Sequence, residues 1–312
     1  MIAYSSDRGG NFDIWVQPVG EGNAAVRVTA SPAHDWQPDW APAGNRLVFR
    51  SERDGGGLFV APVLGGNERK VSSFGYRPRW SHDGLRLAYA RFRPPNSERG
   101  QNGWELMLLS DGSGDEQMIT SANNTPELAW DWSADGQWIL GGSQRQTPGR
   151  RLIGLFPIAA APHAETEMRV IASHPEYNLW QARFSRDHRW ISFCAAKATE
   201  AGVSTIYVAP ASGGQWVRIT EGKYFDDKPR WSSDGKILYF VSSRTGFFNV
   251  WGIQFDPGAG QPVGEPFRVT TFESPGQMIL SNVRYMEMAL AADRLVLPIM
   301  EVSGGIWILE NL

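Results

Sequence analysis

The sequence predicts an all-β chain of repeated four-stranded antiparallel units. Three observations predict it. A pattern recurs along the chain, in full at Pro78–Tyr89, Trp130–Leu140 and Pro229–Phe240 and more loosely from Pro38, Ala182 and Met286. Between its copies lie short apolar runs rich in β-branched and aromatic residues, bounded by Gly, Asn, Asp, Ser and Pro. No window of about ten residues or more carries a helical period.

The aromatic residue before Ser-x-Asp-Gly, or its substitute, serves as an anchor. The anchors are Trp40, Trp80, Trp132, Phe184, Trp231 and Met288, at gaps of 40, 52, 52, 47 and 57 residues. A period of about 40–50 residues filled with short strands is that of a β-propeller. The inner strand of each unit ends at the anchor. Asp and Gly then close a hairpin turn, because Asp accepts bonds from backbone amides and Gly supplies a positive φ.

The second strand follows as Leu47–Phe49, Leu87–Tyr89, Trp138–Leu140, Trp190–Phe193, Ile237–Phe240 and Leu295–Leu297. The third is read at Asp13–Val16, Leu58–Val60, Trp104–Leu109, Leu152–Ile158, Thr205–Val208, Asn249–Trp251 and Ile306–Leu309. The fourth is short: Val26–Thr29, Arg69–Ser72, Met118–Thr120, Met168–Ile171, Trp216–Thr220 and Phe267–Thr270. Residues 1–29 supply only the last three strands of a unit, five full units follow, and the last copy supplies three, which makes 26 strands. Seven blades fit that count better than six, the alternative being a six-bladed ring. The whole of 1–312 reads as a single propeller domain. The chain starts inside a repeat, as a piece of something longer would, or a start codon placed inside an older domain.

Composition narrows the function. The formal charge is −3 and no Lys/Arg block is present, which argues against a nucleic-acid partner. No apolar run is long enough for a membrane helix, and Met1–Tyr4 leads into Ser5–Arg8 without a signal-peptide pattern. The single cysteine, Cys194, lies in an apolar run and reads as a small buried hydrophobe. No Gly-x-Ser-x-Gly elbow, His-Glu-x-x-His pair or phosphate-binding glycine loop occurs, so no catalytic residue, metal or cofactor is expected. His34 with Asp35, and Asp226 with Asp227, are the two places where a cation could be imagined; a solvated loop is the expectation for the second.

The repeat resembles the WD40-like propeller repeat of the TolB family. Pro78–Tyr89, Trp130–Leu140 and Pro229–Phe240 carry the resemblance, supported by Ser5–Arg8 and Ser242–Arg244. The stretch Leu295–Glu310 is similar to the end of propellers attached to bacterial serine/threonine kinases and winged-helix regulators. The resemblance implies binding of a protein, a peptide or a cell-envelope ligand by a sensor or scaffold, without catalysis. A monomer is expected, in the periplasm rather than the cytoplasm. The alternative is a propeller-type polysaccharide lyase or glycosidase. Ala41–Gly44, Ser185–His188 and Leu290–Asp293 depart from the turn motif, and His188 is expected to stand at positive φ in place of glycine.

Residues just ahead of the anchors are expected at the mouth of the central channel. Four and three positions upstream lie Trp36 and Gln37, Tyr76 and Arg77, Trp180 and Gln181, and Asp227 and Lys228. This aromatic and polar set is the candidate ligand or partner site, since it combines flat apolar area with directional donors. Leu128, Ala129, Arg284 and Tyr285 hold the equivalent places in the other copies. One position upstream, Asp39, Arg79, Asp131, Arg183, Arg230 and Glu287 are all charged and are expected to form ion pairs between blades.

Overall fold

The computed structural model describes residues 1–20, 24–93, 103–119, 126–144, 151–158, 168–279, 287–291 and 294–301. Arg284, Tyr285 and the expected strand Ile306–Leu309 lie outside them. The chain divides into two compact units, Met1–Ser173 and His174–Leu312.

The first unit holds one three-stranded sheet and three four-stranded ones, each with its strands in sequence order and antiparallel. The three-stranded sheet is β1 (Ile2–Ser6), β2 (Asp13–Gln17) and β3 (Val26–Arg27). Next come β4 (Asp35–Trp40), β5 (Arg46–Ser51), β6 (Gly57–Pro62) and β7 (Arg69–Ser72). The third sheet is β8 (Tyr76–Trp80), β9 (Arg86–Arg93), β10 (Gly103–Ser110) and β11 (Glu116–Ile119). The fourth is β12 (Pro126–Trp132), β13 (Trp138–Gln144), β14 (Arg151–Pro157) and β15 (Arg169–Ala172).

The second unit holds β16 (Tyr177–Phe184), β17 (Trp190–Lys197), β18 (Thr205–Pro210) and β19 (Val217–Arg218), then β20 (Asp226–Trp231), β21 (Ile237–Ser242), β22 (Asn249–Asp256) and β23 (Gln261–Arg268). Two small ladders follow among its described residues. One pairs β24 (Gln277–Met278) with β27 (Met300–Glu301), the other β25 (Ala289–Ala291) with β26 (Arg294–Val296).

Several middle strands are apolar on both faces because, within each unit, neighbouring sheets pack against one another. Leu58–Ala61 of β6 are buried without alternation. Ile14 and Val16 meet Leu47, Phe49 and Phe59 in one cluster, and Val48, Leu58 and Val60 meet Trp80, Tyr89 and Met107 in the next. In the second unit Cys194, Ile206 and Val208 meet Trp231, Phe240 and Phe255. The anchors Trp80, Trp132, Phe184, Trp231 and Met288 are buried, as large apolar residues between stacked sheets must be.

The turn after four of the anchors, Trp80, Trp132, Phe184 and Trp231, is built by side chains. Ser81, Ser133, Ser185 and Ser232 donate from Oγ to Asp83, Asp135, Asp187 and Asp234 at 2.5–2.6 Å. The same carboxylates accept the backbone N–H two residues on, at Leu85, Gln137, Arg189 and Lys236. The fourth position needs positive φ; Gly84, Gly136 and Gly235 supply it, and His188 adopts it at φ 55°.

A second repeated device follows the second strand. The Oγ atoms of Ser6, Ser51 and Ser242 accept from the backbone N–H of Arg8, Arg53 and Arg244. The three guanidinium groups lie 4.6–4.7 Å from the rings of Trp15, Phe59 and Trp251. Arg53 pairs with buried Asp35 at 2.8 Å and with Glu68, and Arg244 reaches buried Asp226 at 3.6 Å.

Some strands differ from expectation: the last inner strand was expected to end at Met288, whereas β25 begins at Ala289, and β24 and β27 were not expected. The outer strand read at Phe267–Thr270 is β23, which starts at Gln261. Asp256 accepts the N–H of Gly258 and Ala259 and so closes a tight turn that lets pairing begin earlier. As an outer strand it tolerates Pro262 and Pro266.

Candidate functional site

The inner strands hold the feature that organises the candidate residues. β4, β8, β16 and β20 each skip register at the same place. Between the pairs Trp36–Arg50 and Asp39–Val48, two residues, Gln37 and Pro38, face Phe49 alone. Arg77 and Pro78 face Tyr89 in the same way, Gln181 and Ala182 face Phe193, and Lys228 and Pro229 face Phe240. These are β-bulges of two residues against one.

The first residue of each bulge is left-handed: φ is 57° at Gln37, 52° at Arg77, 59° at Gln181 and 58° at Lys228. An L residue with a Cβ pays roughly 1–2 kcal/mol there. Glycine would avoid the cost, yet all four positions carry long polar side chains. The second residue is proline in three of the four. Its missing N–H costs nothing where the ladder is already interrupted. The facing rings of Phe49, Tyr89, Phe193 and Phe240 are fully buried. The bulge thus accounts for both the proline and the terminal Phe or Tyr of the repeated pattern.

β12 departs from this plan. Its irregularities fall at Pro126/Leu128 and Ala129/Asp131, and Ala129 is not left-handed. The facing positions are Gly141 and Gly142, and a Cβ on Gly142 would lie 2.5 Å from the Trp130 ring. The position that carries the aromatic in the other sheets is Gly141 here, where a Cβ would meet Leu128 O and the Phe156 ring, while Trp130 packs against Gly142, the next residue.

In the first unit the candidate residues form a partly exposed row. Gln37 is exposed, while Trp36, Tyr76 and Arg77 are half-buried. Gln37 Oε1 accepts the backbone N–H of Arg77 at 2.8 Å, and Asp39 Oδ2 accepts that of Trp80 at 2.9 Å. Asp39 also pairs with Arg79 at 3.0 Å. These three bonds lace β4 to β8. Trp36 stacks on His34 at 5.3 Å and tilts against Phe12 at 5.6 Å. Tyr76 lies edge-on to Trp104 at 5.2 Å, with the Arg50 guanidinium 3.8 Å from its ring centre.

In the second unit the same positions are mostly closed off. Gln181 is 7% exposed, Asp227 2% and Lys228 0%. Asp227 Oδ1 accepts from Trp180 Nε1 at 3.0 Å, from the Lys228 backbone N at 2.8 Å and from Cys194 Sγ at 3.4 Å. Burial, then the neighbouring Asp227 carboxylate, pushes the Cys194 thiol well above its ordinary value. Beyond the bulge, Arg230 donates to Met288 O at 2.7 Å and reaches Glu287 at 3.4 Å.

Neither of the two pairs singled out in the sequence, His34 with Asp35 and Asp226 with Asp227, acts as a pair. Strand alternation sends Asp226 and Asp227 to opposite faces, Asp226 toward Arg244 and Asp227 toward Trp180. Burial raises the Asp226 carboxyl above its ordinary value; the Ser242 and Thr220 hydroxyls and Arg244 oppose that rise. Asp35 pairs with Arg53, and His34 Nδ1 accepts the N–H of Phe12. Among the described residues, no three His, Cys, Asp or Glu side chains come together as metal ligands would.

What the sequence reading missed is the bulge itself. Its signal was present: Pro38, Pro78 and Pro229 stand inside strands that must pair, and an interior proline in a paired strand marks an interruption.

No family model matches the chain. An uncharacterized protein of Agrobacterium fabrum is 30% identical over 112 residues, covering 30% of this chain and 36% of its own length. The uncharacterized peptidase YuxL of Bacillus subtilis is 23% identical over 196 residues, 59% of this chain and 25% of its own length. The chain thus spans 36% and 25% of the two curated relatives. Among solved structures, TolB from Acinetobacter baumannii is similar with a TM-score of 0.56 and 13% identity, over 81% of this chain and 60% of that one. An oligogalacturonate lyase from Vibrio parahaemolyticus has a TM-score of 0.64 and 10% identity, over 97% and 86%. At these identities the likeness is one of fold: with the repeated four-stranded sheets it supports a β-propeller fold, one that TolB and the lyase also have.

Proposed function

We propose that the chain is a non-catalytic binding module. Its site is the set of bulged inner-strand positions in the first unit, where Trp36, Gln37, Tyr76 and Arg77 are accessible. Trp180, Gln181, Asp227 and Lys228 are the counterparts in the second unit. The observation that carries this reading is the repeated left-handed residue. Four inner strands hold a polar non-glycine residue at φ 52–59°, at one place in the repeat. Strain held in one position of a repeat is a reason to look for function there.

The ligand expected is a protein, a peptide or a cell-envelope component. Half-buried Trp36 and Tyr76 give flat apolar area, and Gln37 and Arg77 give directional donors. The net charge of −3 disfavours nucleic acid. The sensor or scaffold role and the periplasmic setting rest on the TolB-like resemblance. Attachment to a kinase or a winged-helix regulator draws no support from the similar proteins named above. The lyase likeness is one of fold, so turnover belongs among the outcomes of the test.

That test is a comparison of captures. The immobilised chain and a Trp36→Ala/Arg77→Glu variant are exposed to a bacterial envelope extract, and retained proteins and glycans are quantified. A component held by the parent and lost at least about tenfold by the variant supports the reading; a tenfold loss is a modest 1.4 kcal/mol. Equal recovery on both, or cleavage of a polysaccharide by the parent, overturns it.

A further inference from the structure

The second unit carries a cavity of about 320 Å³ away from the bulged positions. It lies within one four-stranded sheet, β16–β19, and the loops at its end. Tyr177, Lys197, Thr205, Tyr207, Arg218 and Gly222 form the part of its lining that matters chemically.

Sheet register brings these groups together. Tyr177 pairs across the ladder with Lys197, and Tyr207 with Arg218. Each tyrosine therefore stands beside a cation. The Lys197 ammonium lies 5.6 Å from the Tyr177 ring centre. The two tyrosines meet edge to face at 6.3 Å. Burial, then the hydrogen bond with Tyr177, holds the Tyr207 phenol above its ordinary value.

The space is kept open by small residues. Ala195 and Ala196 line it, and Gly222 sits at φ +68°. A Cβ at position 222 would come within 2.4 Å of an Arg218 guanidinium nitrogen and 2.6 Å of Thr205 Oγ1. Gly222 therefore allows a guanidinium and a hydroxyl to converge on one point.

Donors dominate that point. Arg218 directs Nε to the Thr220 carbonyl at 3.0 Å and one terminal nitrogen to the Glu221 carbonyl, which fixes the plane of the fork. A guanidinium held in one plane is suited to the two oxygens of a carboxylate or phosphate. Lys197 already holds a carboxylate, that of Glu200 at 3.2 Å. Glu200 is half-exposed, so an exposed pair of this kind is weak and readily exchanged for another anion.

We propose that this cavity binds a small ligand bearing an oxyanion, a carboxylate or a phosphate. Arg218 and Lys197 hold the charge, and Tyr177, Tyr207 and Thr205 supply neutral hydrogen bonds. The volume equals that of about ten liquid waters, which suits a metabolite or the end of a chain rather than a folded partner.

The experiment is a calorimetric titration of the whole chain with inorganic phosphate, with succinate, and with neutral succinamide. The expected result is saturable binding of phosphate or succinate and none of succinamide. A response to one of the two anions identifies which oxyanion is read. Arg218→Gln should weaken binding about tenfold or more, the scale of one charge-assisted hydrogen bond. Tyr177→Phe, which keeps the ring, should weaken it by a smaller factor. Arg77→Glu, in the other unit, should leave it unchanged, so this result stands or falls apart from the binding role of the bulged row. No saturable response to either anion, an equal response to succinamide, or undiminished binding by Arg218→Gln would overturn the assignment.

Discussion

Replacing Asp227 separates a structural carboxylate from a ligand-binding one. In Asp227→Ala the oxygen that accepts from Trp180 Nε1 at 3.0 Å and from Lys228 N at 2.8 Å disappears. Each donor left without an acceptor costs about 1–3 kcal/mol, so the two together cost about 4 kcal/mol. The Cys194 thiol adds little, since S–H is a weak donor. Asp227→Asn keeps an oxygen in the same place and loses only the charge assistance, a difference of about 1 kcal/mol. Urea unfolding followed by far-ultraviolet circular dichroism reads both variants without depending on tryptophan emission. With a slope on the order of 2–3 kcal/mol per molar, the alanine variant should lower the midpoint by about 1.3–2 M. The asparagine variant should lower it by less than half as much. If alanine costs under about 1 kcal/mol, or if alanine and asparagine cost the same, Asp227 is not the acceptor that holds the Lys228 bulge and the reasoning fails.

Two further outcomes follow from burial. Trp231 is 9% exposed and its ring meets Phe255 at 5.1 Å, so Trp231→Ala should cost about 3–5 kcal/mol in the same unfolding assay. Asp226 gives a pH dependence of defined sign. Its carboxyl is raised in the folded state, chiefly by burial, so the folded chain binds that proton more tightly than the unfolded chain does. The parent should gain stability relative to Asp226→Asn as pH falls from neutral through the raised value, with no further gain below the ordinary carboxylate range. Paired urea midpoints across that span check it, and a difference that stays flat or changes in the opposite direction contradicts the buried placement.

The fold was legible because its units repeat. Ser-x-Asp-Gly is a turn whose bonds are all local, so Ser81, Asp83 and Gly84 act in the chain as they read in the sequence. The anchors and the second and third strands were legible for the same reason. They need apolar faces, and apolar runs are visible. The candidate site was legible only in part. Counting back three residues from an anchor found Gln37, Arg77, Gln181 and Lys228, but not that they share a left-handed backbone. Burial was not legible either. Gln37 and Lys228 occupy the same place in the repeat, yet one is exposed and the other fully covered. That difference is set by which side chains of neighbouring sheets lie above them, which no local pattern encodes.

The bulge changes what the repeated pattern means. Read as a sequence, Pro-x-Trp-Ser-x-Asp-Gly is one motif that packs and turns the chain. Read with the backbone, it contains two devices with different requirements. Among the described residues the turn has glycine at its positive-φ position, with His188 the exception. The bulge uses the same region of backbone space and never carries glycine: Gln, Arg, Gln and Lys stand there. Local geometry alone would choose glycine at both. The side chains at the bulge must therefore contribute something that outweighs roughly 1–2 kcal/mol of strain each. Gln37 contributes a bond to the next inner strand, which offsets about 1 kcal/mol of it. Arg77 is half-buried, and its bond to Gln37 is made by its backbone N–H rather than its guanidinium. The balance at Arg77 is the reason to seek the binding surface at the first of these bulged rows rather than at the motif beside it.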